Sequence, residues 1–422
     1  MMNNLKKIQL VCCLVLAICS STFCSLSAQN LTNSPYSMFG IGEIESEDMG
    51  WNSGMGSTGI GISSSNFLNR INPASYNAID TLSFIYEFAL NARLSKFESA
   101  SSSQHENRIN FKKLDMGFKV KPFWSMALGI VPFSSVGYKV NMQKGVEGSP
   151  YENFTDNIQG DGGITRVYWG NSINLTKHFS VGVNSSFLFG SLSQTETLQA
   201  GEFTNEVYAV NNTTLKNLYF EFGMQYSNRL NSHLDYTLGA VYANRTKLNK
   251  YSTVNVTTSS TVVLLDETTY KGSFTLPEYY GAGLSLTLNK KLTAAADYRF
   301  QKWSSVKSEN GLASYVDSHR LSVGLQYIPS NRLPKNYFER IYYQAGASME
   351  KTYLCLNGQQ QNNYSLSAGL CFPLRFQKSY VHIGVQEGQK GNVSNILFRE
   401  NYTLVTFGIV MHDFWFIKSK FD

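Results

Sequence analysis

The chain has 422 residues, of which 16% are charged and 14% aromatic, with a formal net charge of +6. Setting aside two leader lysines leaves about +4, too mild and too scattered for a nucleic-acid partner. Mean hydropathy is −0.21, and beyond the leader no apolar run reaches the ~20 residues of a spanning helix, so any membrane integration has to use strands.

Residues 1–28 read as a signal peptide. Lys6 and Lys7 form the basic region, Ile8 to Cys19 the apolar core, and Ser25-Leu26-Ser27-Ala28 a small-residue cleavage site before Gln29. Leu16-Ala17-Ile18-Cys19 approximates a lipobox, but Ile18 stands where a small residue is needed. Four of the six cysteines leave with the leader. Cys355 and Cys371 lie on opposite arms of a hairpin turning near Asn357-Gly358, offset by several residues at ~3.3 Å each and so beyond disulfide reach.

Residues 29–80 form an N-terminal segment. Its centre, Gly54 to Tyr76, is small, polar and Gly/Ser-rich, and ends in Asn72-Pro73-Ala74. No periodic apolar face runs through it, so it cannot build its own core and needs a host. Gly54 to Gly59 formally fits G-x-G-x-x-G, yet no strand precedes it and no helix follows, as a dinucleotide site requires. A Gly-rich loop with no ligand is the plainer reading. Glu43 to Met49 is acidic and reads as one short turn.

Residues 81–422 read as strand after strand. In the first, Leu82, Phe84, Tyr86, Phe88, Leu90, Ala92 and Leu94 share one face, and Ser83, Glu87, Asn91, Arg93 and Ser95 the other. A soluble sandwich alternates in the same way, but its strands usually run ~5–6 residues, whereas a tilted barrel strand needs ~9–11. Loops are expected over 98–107 and 143–163 and up to about Leu215, and 250–272 is expected to extend a hairpin above the membrane. Tight turns fall at Lys121-Pro122-Phe123, Thr176-Lys177-His178, Arg229–His233 and Asn289-Lys290-Lys291. The count is about fourteen, an even number, with short connectors after even-numbered strands. That pattern fits a transmembrane antiparallel β-barrel with short periplasmic turns, both termini periplasmic, in the outer membrane of a Gram-negative bacterium. The last strand carries Val405, Phe407, Ile409 and Met411 on one face and continues to Phe414-Trp415-Phe416.

No catalytic constellation is evident. His105, His178, His233, His319, His382 and His412 are scattered without metal-ligand spacing, and there is no G-x-S-x-G elbow. The chain reads as a non-enzyme with no cofactor and no metal, although a triad assembled on the barrel wall from distant residues stays open. Glu87, Arg93, Asp115, Lys119, Glu221, Arg245, Asp297 and Arg299 fall on the inner face. They either pair with one another and with the N-terminal segment's backbone, as buried charges need partners, or line a polar pocket. His382 is expected to hydrogen-bond to the segment. Pro132, flanked by Gly129 and Gly137, interrupts the third strand, where a proline removes a ladder N–H. Val131-Pro132-Phe133-Ser134-Ser135 is either a lateral gate or a bulge at the rim.

Gly54, Gly56 and Gly59, followed by a small-residue run and Asn72-Pro73-Ala74, resemble the N-terminal hatch of the FadL/TodX outer-membrane transporter family. Pro35–Gly42, the Asp297-Tyr298…Trp303-Ser304 run, and Asn357-Gly358 with Tyr364, Gly369 and Pro373 are similar to its divergent Bacteroidetes-type branch. The resemblance implies a fourteen-stranded barrel stoppered by residues 29–80. It also implies a hydrophobic ligand carried inward, and a third-strand kink that opens sideways to outer-membrane lipids at Gly129, Pro132 and Phe133. A barrel of this branch serving instead as an accessory subunit of a secretion or barrel-assembly complex, with outer-membrane protein partners, is the alternative.

Overall fold

The computed structural model describes residues 34–414, apart from 47, 49, 100–102, 146–152, 201–205, 260–262, 309–312, 331–335, 375–378, 392 and 394–397. The expected leader, residues 1–28, and the aromatic residues from Trp415 lie outside the described residues.

Each apolar-alternating run becomes a strand. In chain order these are β1 (Glu43–Ile44), β2 (Ser83–Glu98), β3 (Ser103–Lys121), β4 (Trp124–Gly145), β5 (Asn153–Asn174), β6 (Phe179–Ala200), β7 (Val207–Asn231), β8 (Leu234–Ala243), β9 (Thr246–Thr258), β10 (Val263–Leu276), β11 (Tyr279–Leu288), β12 (Leu292–Gln301), β13 (Ala313–Tyr315), β14 (Ser318–Tyr327), β15 (Tyr342–Leu356), β16 (Gln359–Pro373), β17 (Tyr380–Lys390) and β18 (Arg399–Phe414). β2–β8, β11, β12 and β14–β18 are the fourteen crossing strands. Every neighbour is antiparallel, and β18 pairs with β2 from Arg399↔Glu98 to Phe414↔Ser83, closing the barrel. β9 and β10 continue β8 and β11 beyond the wall as a hairpin, as expected for 250–272.

The outward residues Leu114, Met116, Trp169, Phe189, Phe222, Leu286, Val323 and Phe407 are all exposed. So continuous an apolar band on a folded surface needs a lipid solvent. Inward residues are polar, very small, or apolar where they pack on the N-terminal segment: Glu87, Asp115 and Asp297 are buried, as are Ala89 and Ala295, and Ile85, Tyr168 and Val241 share one buried cluster with Ile60, Leu68 and Ile79.

Three expectations need correction. First, 98–107 and 143–163 are mostly strand. β4, β5 and β6 each run 22 residues and β7 runs 25, roughly 70–80 Å at ~3.3 Å per residue, where a crossing takes ~9–11. Cross-strand pairing overrides the low strand propensity of the Gly/Asp/Asn-rich sequence there. Second, connectors do not alternate simply by length. Residues 328–341, on the turn side, are long and hold a 3-10 turn at Tyr337–Arg340, while β15 and β16 are joined on the other side by Asn357-Gly358 alone. Both of those residues have positive φ, the geometry a two-residue hairpin turn demands. Third, Arg245 is not interior. It sits in the break between β8 and β9, exposed, and donates from Nη2 to the Ser305 carbonyl at 3.0 Å. The break shifts the alternation by which it was placed. Cys355 and Cys371 are free and buried.

Candidate functional site

The N-terminal segment has no regular structure beyond 3-10 turns at Pro35–Met38, Ser53–Met55 and Pro73–Ala78 and the two-residue β1. A backbone with so few internal bonds must find partners elsewhere. It finds them on the inner faces of strands all around the wall. Asp297 on β12 accepts from the N–H groups of Gly59 at 2.6 Å and Ile60 at 2.9 Å. Arg299 donates to the Ser57 carbonyl at 3.2 Å. Gln225 on β7 donates to the carbonyls of Ile60 and Ile62, and Ser285 on β11 to that of Gly61. Glu87 on β2 accepts from Leu68 N–H at 2.6 Å, and Lys119 on β3 reaches the Asn77 carbonyl at 2.9 Å.

The Asn72-Pro73-Ala74 triplet is a clamp. The Asn72 side chain accepts from Ala74 N–H at 3.1 Å and caps the following turn. Its amide donates to the Ile60 carbonyl at 2.9 Å and to the Met224 carbonyl on β7 at 3.0 Å. Ser172 on β5 donates to the Ala74 carbonyl at 3.0 Å.

The wall meets this segment through glycines. Gly182, Gly223, Gly239, Gly283, Gly324, Gly346, Gly369 and Gly384 lie on β6, β7, β8, β11, β14, β15, β16 and β17, with only β12 among the crossing strands of that run lacking one. An added Cβ on Gly239 would strike the Ile60 carbonyl, one on Gly182 the Pro73 backbone, and one on Gly369 the Gly54 backbone. Gly54, Gly56 and Gly59 answer from the other side. Gly56 has φ +64 and donates to Ser367 Oγ at 2.9 Å. Backbone lies against backbone around most of the circumference, an approach only glycine permits.

Charges fill the remaining space as pairs. Glu87 pairs with Lys113, which also faces Asp115 at 3.3 Å. Asp48 meets Lys112 at 2.7 Å. Glu221 takes Arg166 at 2.8 Å and Arg70 at 3.6 Å. Arg93 meets Glu400 at 2.8 Å and Glu43 at 3.8 Å, and Glu43 also takes Lys390 at 2.8 Å. Asp297 and Arg299 are 3.9 Å apart. Of the expected interior set, only Arg245 lies elsewhere. Burial pushes the Glu43 and Asp48 carboxyls up, but Lys390 and Arg93 overcome this at Glu43 and bring it down to about 2, and Lys112 overcomes it at Asp48 and leaves it below its usual value. His382 is buried against Gly50, but neither ring nitrogen has a hydrogen-bond partner, contrary to the bond expected to the segment.

Sequence reasoning missed Lys112, Lys113, Arg166, Lys390 and Glu400. Lys112 is invisible to strict alternation because a register shift between Ala89 and Leu90 makes it an extra residue on β3. Two consecutive lysines thereby turn inward. On the loop-end side a cavity of about 160 Å³ remains, lined by Arg93, Arg108, Arg299, Arg320 and Lys390 with Glu43, Glu45 and Glu350.

At Pro132 the wall is unzipped. β3 and β4 pair only from Lys121↔Trp124 to Leu114↔Ile130. Beyond that rung β3 follows β2 to Ser103, while β4 follows β5 to Gly145. The β4–β5 register shifts between Pro132 and Ser134, leaving Phe133 as the extra residue. Its ring packs 4.7 Å from the Arg166 guanidinium. Into the opening comes β1, with Glu43↔Ser135 and Ile44↔Ser134, and Glu45 N–H donating to the Phe133 carbonyl at 3.0 Å. Gly129 is below the opening, where an added Cβ would strike Asp115 and Tyr168.

A family model matches residues 5–422, almost the whole sequence, and its description is BamG. The chain belongs to the BamG family. No curated protein matches it. Among solved structures, this family member is similar to the Pseudomonas putida toluene transporter TodX at 15% identity and TM-score 0.58, over 88% of this chain and 99% of that one. The Ralstonia pickettii toluene transporter TbuX matches at 13% identity and TM-score 0.57, over 86% and 98%. A Pseudomonas aeruginosa FadL homologue matches at 13% identity and TM-score 0.57, over 88% and 99%. The fold is thus the FadL-like β-barrel that the resemblance implied, under a different family name.

Proposed function

We propose that this BamG-family barrel is an accessory subunit of an outer-membrane protein secretion or barrel-assembly complex, with residues 29–80 as a hatch that stays in place. One observation carries this reading. The segment is bonded to strands around the wall, and among the described residues the cavity left at its loop end is small, about 160 Å³, and mixes charged side chains with Tyr353, Tyr402 and Leu404 instead of being mostly apolar. A site for a hydrophobic molecule is concave and mostly apolar, and a greasy solute here would have to displace buried ion pairs. The family name favours the same reading, and the strands that project beyond the wall give a partner protein a large surface. Purification from native membranes in mild detergent tests it. Other outer-membrane proteins in fixed stoichiometry are expected. A lone barrel carrying a hydrophobic small molecule would overturn it.

The second reading, passive transport of a fatty-acid-like or other hydrophobic molecule, is favoured by the unzipped seam at Gly129, Pro132 and Phe133 and by the transporter titles of similar structures. Under it, β1 is the movable part. An Ile44→Cys/Ser134→Cys cross-link, at facing positions, then abolishes solute uptake, whereas under the accessory reading it changes nothing.

A further inference from the structure

The lipid-facing wall is not convex everywhere. Across β5, β6, β7, β8, β11 and β12 it holds an apolar recess of about 770 Å³, within the ~300–1,000 Å³ range of small-molecule sites. Its floor is the facing pair Ala240↔Ala282, two small outward residues on adjacent strands. Its sides are large, among them Phe222, Tyr242, Tyr280 and Tyr298. Behind the floor the wall is drawn onto the N-terminal segment, because Gly223 and Gly239 admit Asn72 and Ile60 so closely.

The loop-ward end is different. Tyr242, Tyr280 and Phe300 form a continuous aromatic row, with centroids 5.2 Å and 6.3 Å apart, as at a membrane–water boundary. Just beyond it, flanking the ends of the same three strands, are Arg245, Glu278 and Lys302. The strand ends are tied together, Arg245 to the Ser305 carbonyl and Lys302 N–H to the Glu278 carbonyl at 3.1 Å. Glu278 takes the Tyr280 hydroxyl at 3.1 Å, and among the described residues no carboxylate pairs with Arg245 or Lys302. Both are exposed.

We propose that this recess is a binding site for a phosphorylated, acylated lipid of the outer leaflet. One acyl chain lies over Ala240 and Ala282, and the phosphate is held by Arg245 and Lys302 beyond the aromatic row. Charge complementarity selects this occupant: a transmembrane partner would fill the apolar recess but has no use for two cations at its rim, and an uncharged lipid would use only the recess. The inference does not depend on whether the barrel transports or assembles.

Native mass spectrometry of protein extracted from outer membranes tests it, read as phosphorus-containing lipid retained per barrel. Ala282→Trp fills the floor from the lipid side, and the double variant Arg245→Glu/Lys302→Glu reverses the rim charge. All three positions are exposed, and the heat-dependent gel shift of a closed barrel verifies folding. Each variant is expected to retain about tenfold less of this lipid than wild type. Undiminished retention in both would overturn the proposal, as would a bound lipid without phosphate, or a co-purifying protein lost in Ala282→Trp while lipid is unchanged.

Discussion

Asn72 joins three parts of the molecule through one side chain: its own turn, the Gly59–Ile62 run, and β7. Asn72→Ala removes all three bonds; the Ile60 carbonyl keeps Gln225, but the buried Ala74 N–H loses its acceptor, at a cost of about 1–3 kcal/mol. The expected result is a barrel that still closes but whose N-terminal segment becomes cleavable by added protease, which limited proteolysis followed by mass analysis checks. At Gly239 the change is steric. Gly239→Val puts methyls where the Ile60 carbonyl lies, so the same cleavage should appear and thermal unfolding should lose cooperativity. Asn72-Pro73-Ala74 stood out in the sequence only by its position just before the first strand of a long all-β chain, since any loop may hold such a triplet. The wall glycines did not stand out, since each is an unremarkable small residue in its own strand and only the closed barrel aligns them into a belt. Some inward charges were legible from alternation, such as Glu87 and Asp297, while Arg166, Lys390 and Glu400 were missed on strands that alternate regularly. Alternation itself failed at Arg245, where a strand breaks, and at Lys112, where one bulges, because both events reset the period from which the face is read.

At the scale of elements, β1 is held by two short ladder positions and by acids. The Glu43 and Asp48 carboxyls sit below their ordinary values, Glu43 at about 2, since Lys390, Arg93 and Lys112 outweigh their burial. A lowered folded-state value means that the docking they supply is complete above the ordinary carboxylate range and is lost as pH falls through the lowered one. The segment should therefore stay seated from neutral pH down to about 4. It should loosen between there and about 2, seen as a rising rate of labelling at an Ile44→Cys thiol. Glu43→Gln should move that loosening to higher pH, because Lys390 and Arg93 lose one of their counter-charges. Near the seam that β1 fills, the sequence showed only an interruption at Pro132, open to a gate or to a rim bulge. What the sequence could not supply was the cause of the seam: β3 leaves β4 above Ile130 to stay with β2, a choice of partner made by the whole sheet.

For the whole molecule, the fourteen crossings and their closure followed from alternation and strand length, whereas the height of the projecting strands did not. Gly/Asp/Asn-rich stretches look like loops until neighbouring strands of equal length pair with them. That height separates the barrel from what stands on it. β8 pairs with β7 and β11 through ten rungs without help from β9 or β10, so the hairpin above Asn249 is not needed for closure. Replacing residues 250–272 with a two-residue Asn-Gly turn, the favoured hairpin connection, should leave the heat-dependent gel shift unchanged. If the projecting strands are the partner surface of an accessory subunit, the same deletion should strip co-purifying outer-membrane proteins from the barrel. A complex of unchanged stoichiometry would move the partner surface elsewhere, while loss of the shift would mean that the hairpin helps to close the wall after all.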